Sequence, residues 1–139
     1  MRCLNLVLAV VAASTLSSGA FGYAIDVWSP GGDIYQFAQQ RESMIENGVT
    51  PRLHNCASAC TMFLSVPGAC VYPWSRIGFH QAYKMIPGGV LPSPDGTREM
   101  WSTYPPLVRR AAGWPMHDPS GMRIVSGATL IAHGYPRCR

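Results

Sequence analysis

At 139 residues the chain supplies about one domain, because domains usually take roughly 100 to 200 residues each, and there is little room for a second independent core. Hydrophobic residues make up 47% of it and charged residues only 13%, a globular composition that excludes a solvated, disordered chain. The net charge of +4 comes from 11 basic against 7 acidic residues, scattered apart from Arg109-Arg110 and Arg137 with Arg139; with no basic stripe interleaved with aromatics, no nucleic-acid partner is expected.

From Met1 to about Ala24 the chain carries one charge, Arg2, then an apolar run from Leu4 to Ala13 and a small, polar stretch from Ser14 to Ala20. This is the plan of a secretory signal, with Ser18-Gly19-Ala20 or Gly22-Tyr23-Ala24 as cleavage sites. The alternative is an uncleaved membrane anchor, but the apolar run is about half of the roughly 20 residues that span a bilayer. Residues 1–24 therefore read as a leader and residues 25–139 as the domain, destined for the periplasm or for secretion. Cys3 leaves with the leader, and Cys56, Cys60, Cys70 and Cys138 remain, an even number in an oxidising compartment. One or two disulfides are expected, with all three pairings open. A zinc site would have to use His54, Cys56, Cys60 and His80, but the spacing is neither C-x-x-C nor that of a familiar finger, so no metal is expected.

Ala24 to Trp28 reads as a short strand that stops at the turn Ser29-Pro30-Gly31-Gly32, where glycines permit backbone angles other residues avoid. Asp33 then suits a helix N-terminus. Ile34, Phe37, Ala38 and Ile45, with the stem of Arg41, recur at three- and four-residue intervals before the stop Asn47-Gly48. Val49 to Asn55 reads as a strand despite Pro51. Ala57 to Val66 is apolar and free of breakers until Pro67-Gly68, which predicts a buried helix opening at or beside Ser58. Val71-Tyr72 and Arg76 to His80 read as two further short strands. Lys84 to Gly96 is rich in Pro and Gly and reads as the longest loop; a helix from about Pro105 to Ala112 follows, with Gly113 just past its end. Ser126 to His133 reads as a last short helix closed by Gly134.

Alternating strands and helices predict an α/β domain with a mainly parallel sheet built from right-handed crossovers. In such sheets ligands gather at the carboxyl ends of the strands. The turn after the first strand, the turn at Ser58, and His80 each fall at such an end, so the three can converge. A serine hydroxyl is a poor nucleophile at neutral pH; it needs an imidazole to take its proton and backbone N–H groups to hold the oxyanion. This convergence offers all three.

Ser-Pro-Gly-Gly after a strand, the turn Cys56-Ala57-Ser58-Ala59-Cys60 opening a buried helix, and Arg76-Ile77-Gly78-Phe79-His80-Gln81 on the next strand together resemble the proteolytic subunit of Clp protease. They are still more similar to its exported bacterial relatives that carry Ser-Ala-Cys at the nucleophile. The resemblance runs from about Ile25 to Gly134 and is sharpest from Ser29 to Gln81. It implies the Clp/crotonase-like fold, built of ββα units and truncated at its N-terminus, because the family's further strand and helix ahead of Ser-Pro-Gly-Gly have no counterpart here. It implies Ser58 as nucleophile, His80 as general base, and the N–H groups of Gly32 and Ala59 as oxyanion donors, with Gly31 at the substrate backbone. Counting back the family's interval from Gly134 gives Asp118 as the acidic member, with Asp95 as its competitor.

The same roles follow from elementary chemistry. A serine at a helix start turns its neighbour's N–H toward a substrate carbonyl, where the helix dipole favours negative charge. An ionised Asp118 would fix the imidazole tautomer and stabilise the imidazolium. Plainer readings stand beside these: Ser58 as a helix cap, His80 as a hydrogen-bonded structural histidine like His54, His117 and His133, Gly31-Gly32 as a turn, and Asp118 before Pro119 as a turn residue. The expected function is an exported serine peptidase that acts on peptide or protein substrates without metal, cofactor or nucleotide. The segment between His80 and Pro105 is too short for the long helix that builds the Clp double ring, so an ATP-driven unfoldase is not expected. The exposed sheet edge predicts cover by another subunit, and hence a homo-oligomer. The alternatives are a catalytically silent, disulfide-stapled binding or assembly module, and esterase or thioester chemistry on the same scaffold.

Overall fold

The computed structural model describes residues 22–113 and 121–139. The elements run β1 (Ala24–Ser29), α1 (Ile34–Glu46), β2 (Thr50–Ala57), a 3-10 helix (Ser58–Ser65), β3 (Cys70–Phe79), β4 (Tyr83–Ile86), β5 (Gly89–Pro92), α2 (Pro94–Thr103), α3 (Pro106–Ala112), β6 (Arg123–Ser126) and α4 (Gly127–Ala132). β1, β2, β3 and β6 form a four-stranded sheet in that order. The pairs β1–β2 and β2–β3 are parallel, and β6 adds antiparallel to β3. The domain is thus α/β with a mostly parallel sheet, as its alternating pattern predicts.

Local chemistry sets the element ends. The Asp33 carboxylate accepts the Gln36 N–H at 2.9 Å and caps α1, and Gly48, at φ 65, ends the turn beyond it. Ile34, Phe37, Ala38 and Ile45 face the core from α1 at the expected intervals, with Phe37 against Phe63 at 5.3 Å between ring centroids. The buried helix after Ala57 is 3-10 rather than α. Thr61 and Ser65 each donate a hydroxyl to the carbonyl three residues back, Ser58 and Met62, at 2.6 and 2.7 Å, which favours the tighter winding.

Two expectations change, and one strand is added to them. The two short strands at Val71 and Arg76 are one strand, β3, carried across Pro73 by an irregular register opposite Leu53 and Asn55. Proline has no N–H for the ladder; Ser75 makes good the loss, its buried hydroxyl accepting the Tyr72 N–H and donating to the Leu53 carbonyl. The stretch from Lys84 to Gly96 is not a loop but the hairpin β4–β5 followed by the start of α2. Its glycines are there because Gly88, at φ 84, makes the hairpin turn, and Pro94 occupies the first turn of α2 behind the Ser93 cap. β6 was not foreseen, because only Val125 of its four residues is buried.

The core lies between the sheet and the helices. Leu53 and Ile77 of the central strands, Leu64, Met100, Val108 and Leu130 are all almost fully buried, each contributing about 2 kcal/mol by removal from water. Two tyrosines cross it: Tyr104 hydrogen bonds Thr61, and Tyr135 donates to the Leu64 carbonyl at 2.7 Å. Burial pushes both hydroxyls far above their ordinary range, so both stay protonated and can donate.

The outer face of the sheet is polar and aromatic. Asp26 on β1 receives Arg52 at 2.7 Å and His54 at 2.9 Å from β2. The His54 ring lies between Trp28, stacked at 4.0 Å, and Tyr72 at 4.5 Å, and so has a structural place. The hydrogen bond from His54, aided by the Arg52 charge and opposed by partial desolvation, holds the Asp26 carboxyl below its ordinary 3.8. A carboxyl depressed by folding stabilises the native state above its unfolded value, and that stability is lost as pH falls through the lower, folded value. Wild type is therefore expected to lose more stability between pH 6 and pH 3 than Asp26→Asn, as urea titrations at the two pH values would measure.

Two disulfides join Cys56 to Cys60 and Cys70 to Cys138. Their sequence separations are 4 and 68 residues, so by chain entropy the long one contributes about 4 kcal/mol and the short one about 2 kcal/mol. Cys70→Ala/Cys138→Ala should accordingly lower the thermal midpoint by about twice as much as Cys56→Ala/Cys60→Ala, measured by calorimetry.

Candidate active site

The site is built at the carboxyl ends of β1, β2 and β3, which are neighbours in the sheet. β1 gives way to the turn Ser29–Gly32, in which the Ser29 hydroxyl accepts the Gly31 N–H at 3.1 Å. β2 gives way to Ser58, and β3 to His80. The first two turns touch. Gly31 stands at φ 90, and a Cβ built on it would lie 2.5 Å from both the Ala57 carbonyl oxygen and the Ser58 Cβ. Glycine is required there by space as well as by backbone angle.

Ser58 has φ 56, alone in the positive region among the described non-glycine residues. A serine there is strained, and such strain collects at functional sites. The residue stands at the corner where strand gives way to helix, and its flanks, Cys56 and Cys60, are tied to each other. The same bond answers the zinc reading, since the sulfurs it needs are not thiolates. Ala59 sits in the first turn of the 3-10 helix, where N–H groups have no partner within the helix, and no side chain caps this end.

His80 is 5% exposed. Its Nδ1 lies 2.5 Å from the Gln81 carbonyl oxygen. A carbonyl can only accept, so Nδ1 carries a proton and donates it; of the two neutral tautomers this contact selects the one with its lone pair on Nε2, the form that a general base needs. Ser58, His80, Gly31 and Gly32 line one open cavity of about 750 Å³, together with Tyr83 of the hairpin and Met100 of α2.

The structure thus brings the glycine turn, Ser58 and His80 together. Asp118 lies outside the described residues. Asp95, its competitor, lies in the first turn of α2, pairs with Arg98 and does not line the cavity. Two contributors escaped the sequence. The Gln81 carbonyl is backbone, and no residue type signals it. Tyr83 reaches the cavity through the hairpin that Pro and Gly disguised as a loop, whereas the Ser93-Pro94 start of α2 was a readable signal for Met100. No protein-family model matches the chain, and a search of curated proteins finds no match.

Gly31→Ala should destabilise the fold by about 1–3 kcal/mol through the left-handed backbone alone, and further through the clash with Ala57 and Ser58. Gly32→Ala, whose added Cβ would meet only the Phe37 ring at 3.4 Å, should change stability far less; urea midpoints of the two variants make the comparison.

Proposed function

We propose that the protein is an exported serine peptidase of the Clp-like type, with Ser58 as nucleophile and His80 as general base. The observation that carries this reading is Ser58, a non-glycine residue held at φ 56 in the same cavity as a histidine whose tautomer leaves Nε2 free to accept a proton. Buried structural serines do not need that backbone.

In this reading the Ser58 Oγ attacks the scissile carbonyl while His80 Nε2 takes its proton. The carbonyl electrons move onto oxygen, where the N–H groups of Gly32 and Ala59 hold the oxyanion. Collapse expels the amine, which leaves with the proton from His80, and the acyl group stays on Ser58. Water then attacks the ester with His80 again as base, and Ser58 is regenerated. The Gln81 carbonyl keeps the Nδ1 proton in place, and Asp118 is the acid that the resemblance assigns to stabilise the imidazolium.

Export rests on the leader-like residues 1–24 together with two disulfides, which fit a non-cytoplasmic protein. Among the described residues no helix is long and apolar enough to cross a membrane. Among the described strands β1 is a sheet edge, which a second copy in a homo-oligomer would cover.

A fluorophosphonate probe should label the wild type and leave Ser58→Ala and His80→Ala unlabelled, both variants keeping the wild-type circular dichroism. A folded wild type that takes no label would overturn the peptidase reading in favour of the silent binding module.

A further inference from the structure

The five residues from Cys56 to Cys60 form a ring closed by a disulfide, with Ser58 at its centre and one alanine on either side. Both ends of this ring are anchored. Cys56 is held in the sheet, in register with Ser29 on β1 and Ile77 on β3, while Cys60 is fully buried in the 3-10 helix. The bond therefore spans the corner where strand becomes helix, and the residue at the corner is the one with a positive φ. So short a ring contributes to the fold only about half of what the long bridge does, because closing a small loop removes less entropy from the unfolded chain. Its effect is local.

We propose that Cys56 and Cys60 are positioning residues: their disulfide holds Ser58 in the left-handed conformation that aims it into the cavity, so that the serine becomes reactive only after oxidation. The proposal rests on the peptidase reading for its consequence, but its conformational claim stands apart from activity. In the reduced chain Ser58 is free to relax to a negative φ, which for an L-residue is the lower-energy choice. The turn would then swing its hydroxyl and the Ala59 N–H away from their places, and a misplacement of about 1 Å at a reacting centre costs roughly 100-fold in rate.

Oxidation is an ordinary thiol–disulfide exchange with a disulfide-bearing oxidant of the exported compartment. One cysteine thiolate attacks the oxidant's disulfide and releases one of its sulfurs as a thiol. The second cysteine then attacks the mixed disulfide, and two electrons pass to the oxidant, which leaves as a dithiol carrying the two protons. The Cys56 and Cys60 side chains are buried once the fold closes. The bond, once made, is shielded from reductants and acts as a permanent latch. A chain of this kind is inert where it is made and competent where it is delivered.

The test compares the oxidised wild type with Cys56→Ala/Cys60→Ala, with Cys56→Ser/Cys60→Ser in case the first does not fold, and with Cys70→Ala/Cys138→Ala as the control that removes the other bridge. Two readouts are taken: the rate of fluorophosphonate labelling over a range of pH, and the backbone φ of Ser58 from three-bond couplings and carbon shifts of serine-labelled protein. The expected result is that loss of the short bridge abolishes the positive φ at Ser58 and slows labelling about 100-fold at every pH, whereas loss of the long bridge lowers the thermal midpoint but moves neither readout. Retention of the positive φ without the short bridge overturns the proposal, whatever the labelling rate does. If the oxidised wild type takes no label, the peptidase reading fails on that arm, and the φ of Ser58 still decides whether the disulfide positions it.

Discussion

The contact of Gly31 with the Ala57–Ser58 corner is the constraint on which the site depends. Parallel pairing of β1 with β2 brings two strand ends side by side, but it does not by itself bring the turns beyond them into contact. The missing Cβ at Gly31 lets the first turn settle on the second at a separation that no other residue could take. Residues of both turns, Gly31 and Gly32 from the first and Ser58 from the second, then line one cavity. The Ser29 hydroxyl, by accepting the Gly31 N–H, keeps the glycine turn in this posture without help from the core.

Much of this was legible because the residues involved have few alternative uses. Paired glycines after a β-rich run, a serine between small residues at the head of a breaker-free apolar stretch, and a histidine at the end of the next strand each point to a strand end. Strand ends in parallel sheets lie together. The parallel core followed from the alternation of strands and helices, the helix at Ile34 from its three- and four-residue intervals, and those at Pro106 and Gly127 from the proline and glycines at their ends. The hairpin β4–β5 did not, because every residue in it is exposed and no alternation of burial marks it. β6 failed for a related reason: a short edge strand that buries one side chain leaves no pattern. The winding of the 3-10 helix was hidden because complete burial erases the polar face by which periods are told apart.

The two disulfides divide their work by loop length. The bridge from Cys70 to Cys138 ties the start of β3 to the chain end, beside the hydrogen bonds that Val71 exchanges with Pro136 and Cys138. It closes most of the domain into one ring, and its effect falls on the unfolded ensemble. The bridge from Cys56 to Cys60 encloses three residues and constrains a backbone angle rather than a fold. A small domain with a modest core gains most from the first kind, while the second acts on the corner that carries the proposed nucleophile.

At His80 the partner of Nδ1 is a backbone carbonyl, which bears on how a serine here could be activated. A carbonyl fixes the tautomer as well as a carboxylate does, since both only accept. It carries no net charge, however, and so gives an imidazolium formed at the transition state less stabilisation than a carboxylate would. On the peptidase reading the Gln81 carbonyl would leave Nε2 as the nitrogen that takes the proton, and the charge so created calls for an anion. In the proposed mechanism that need is what Asp118 would meet.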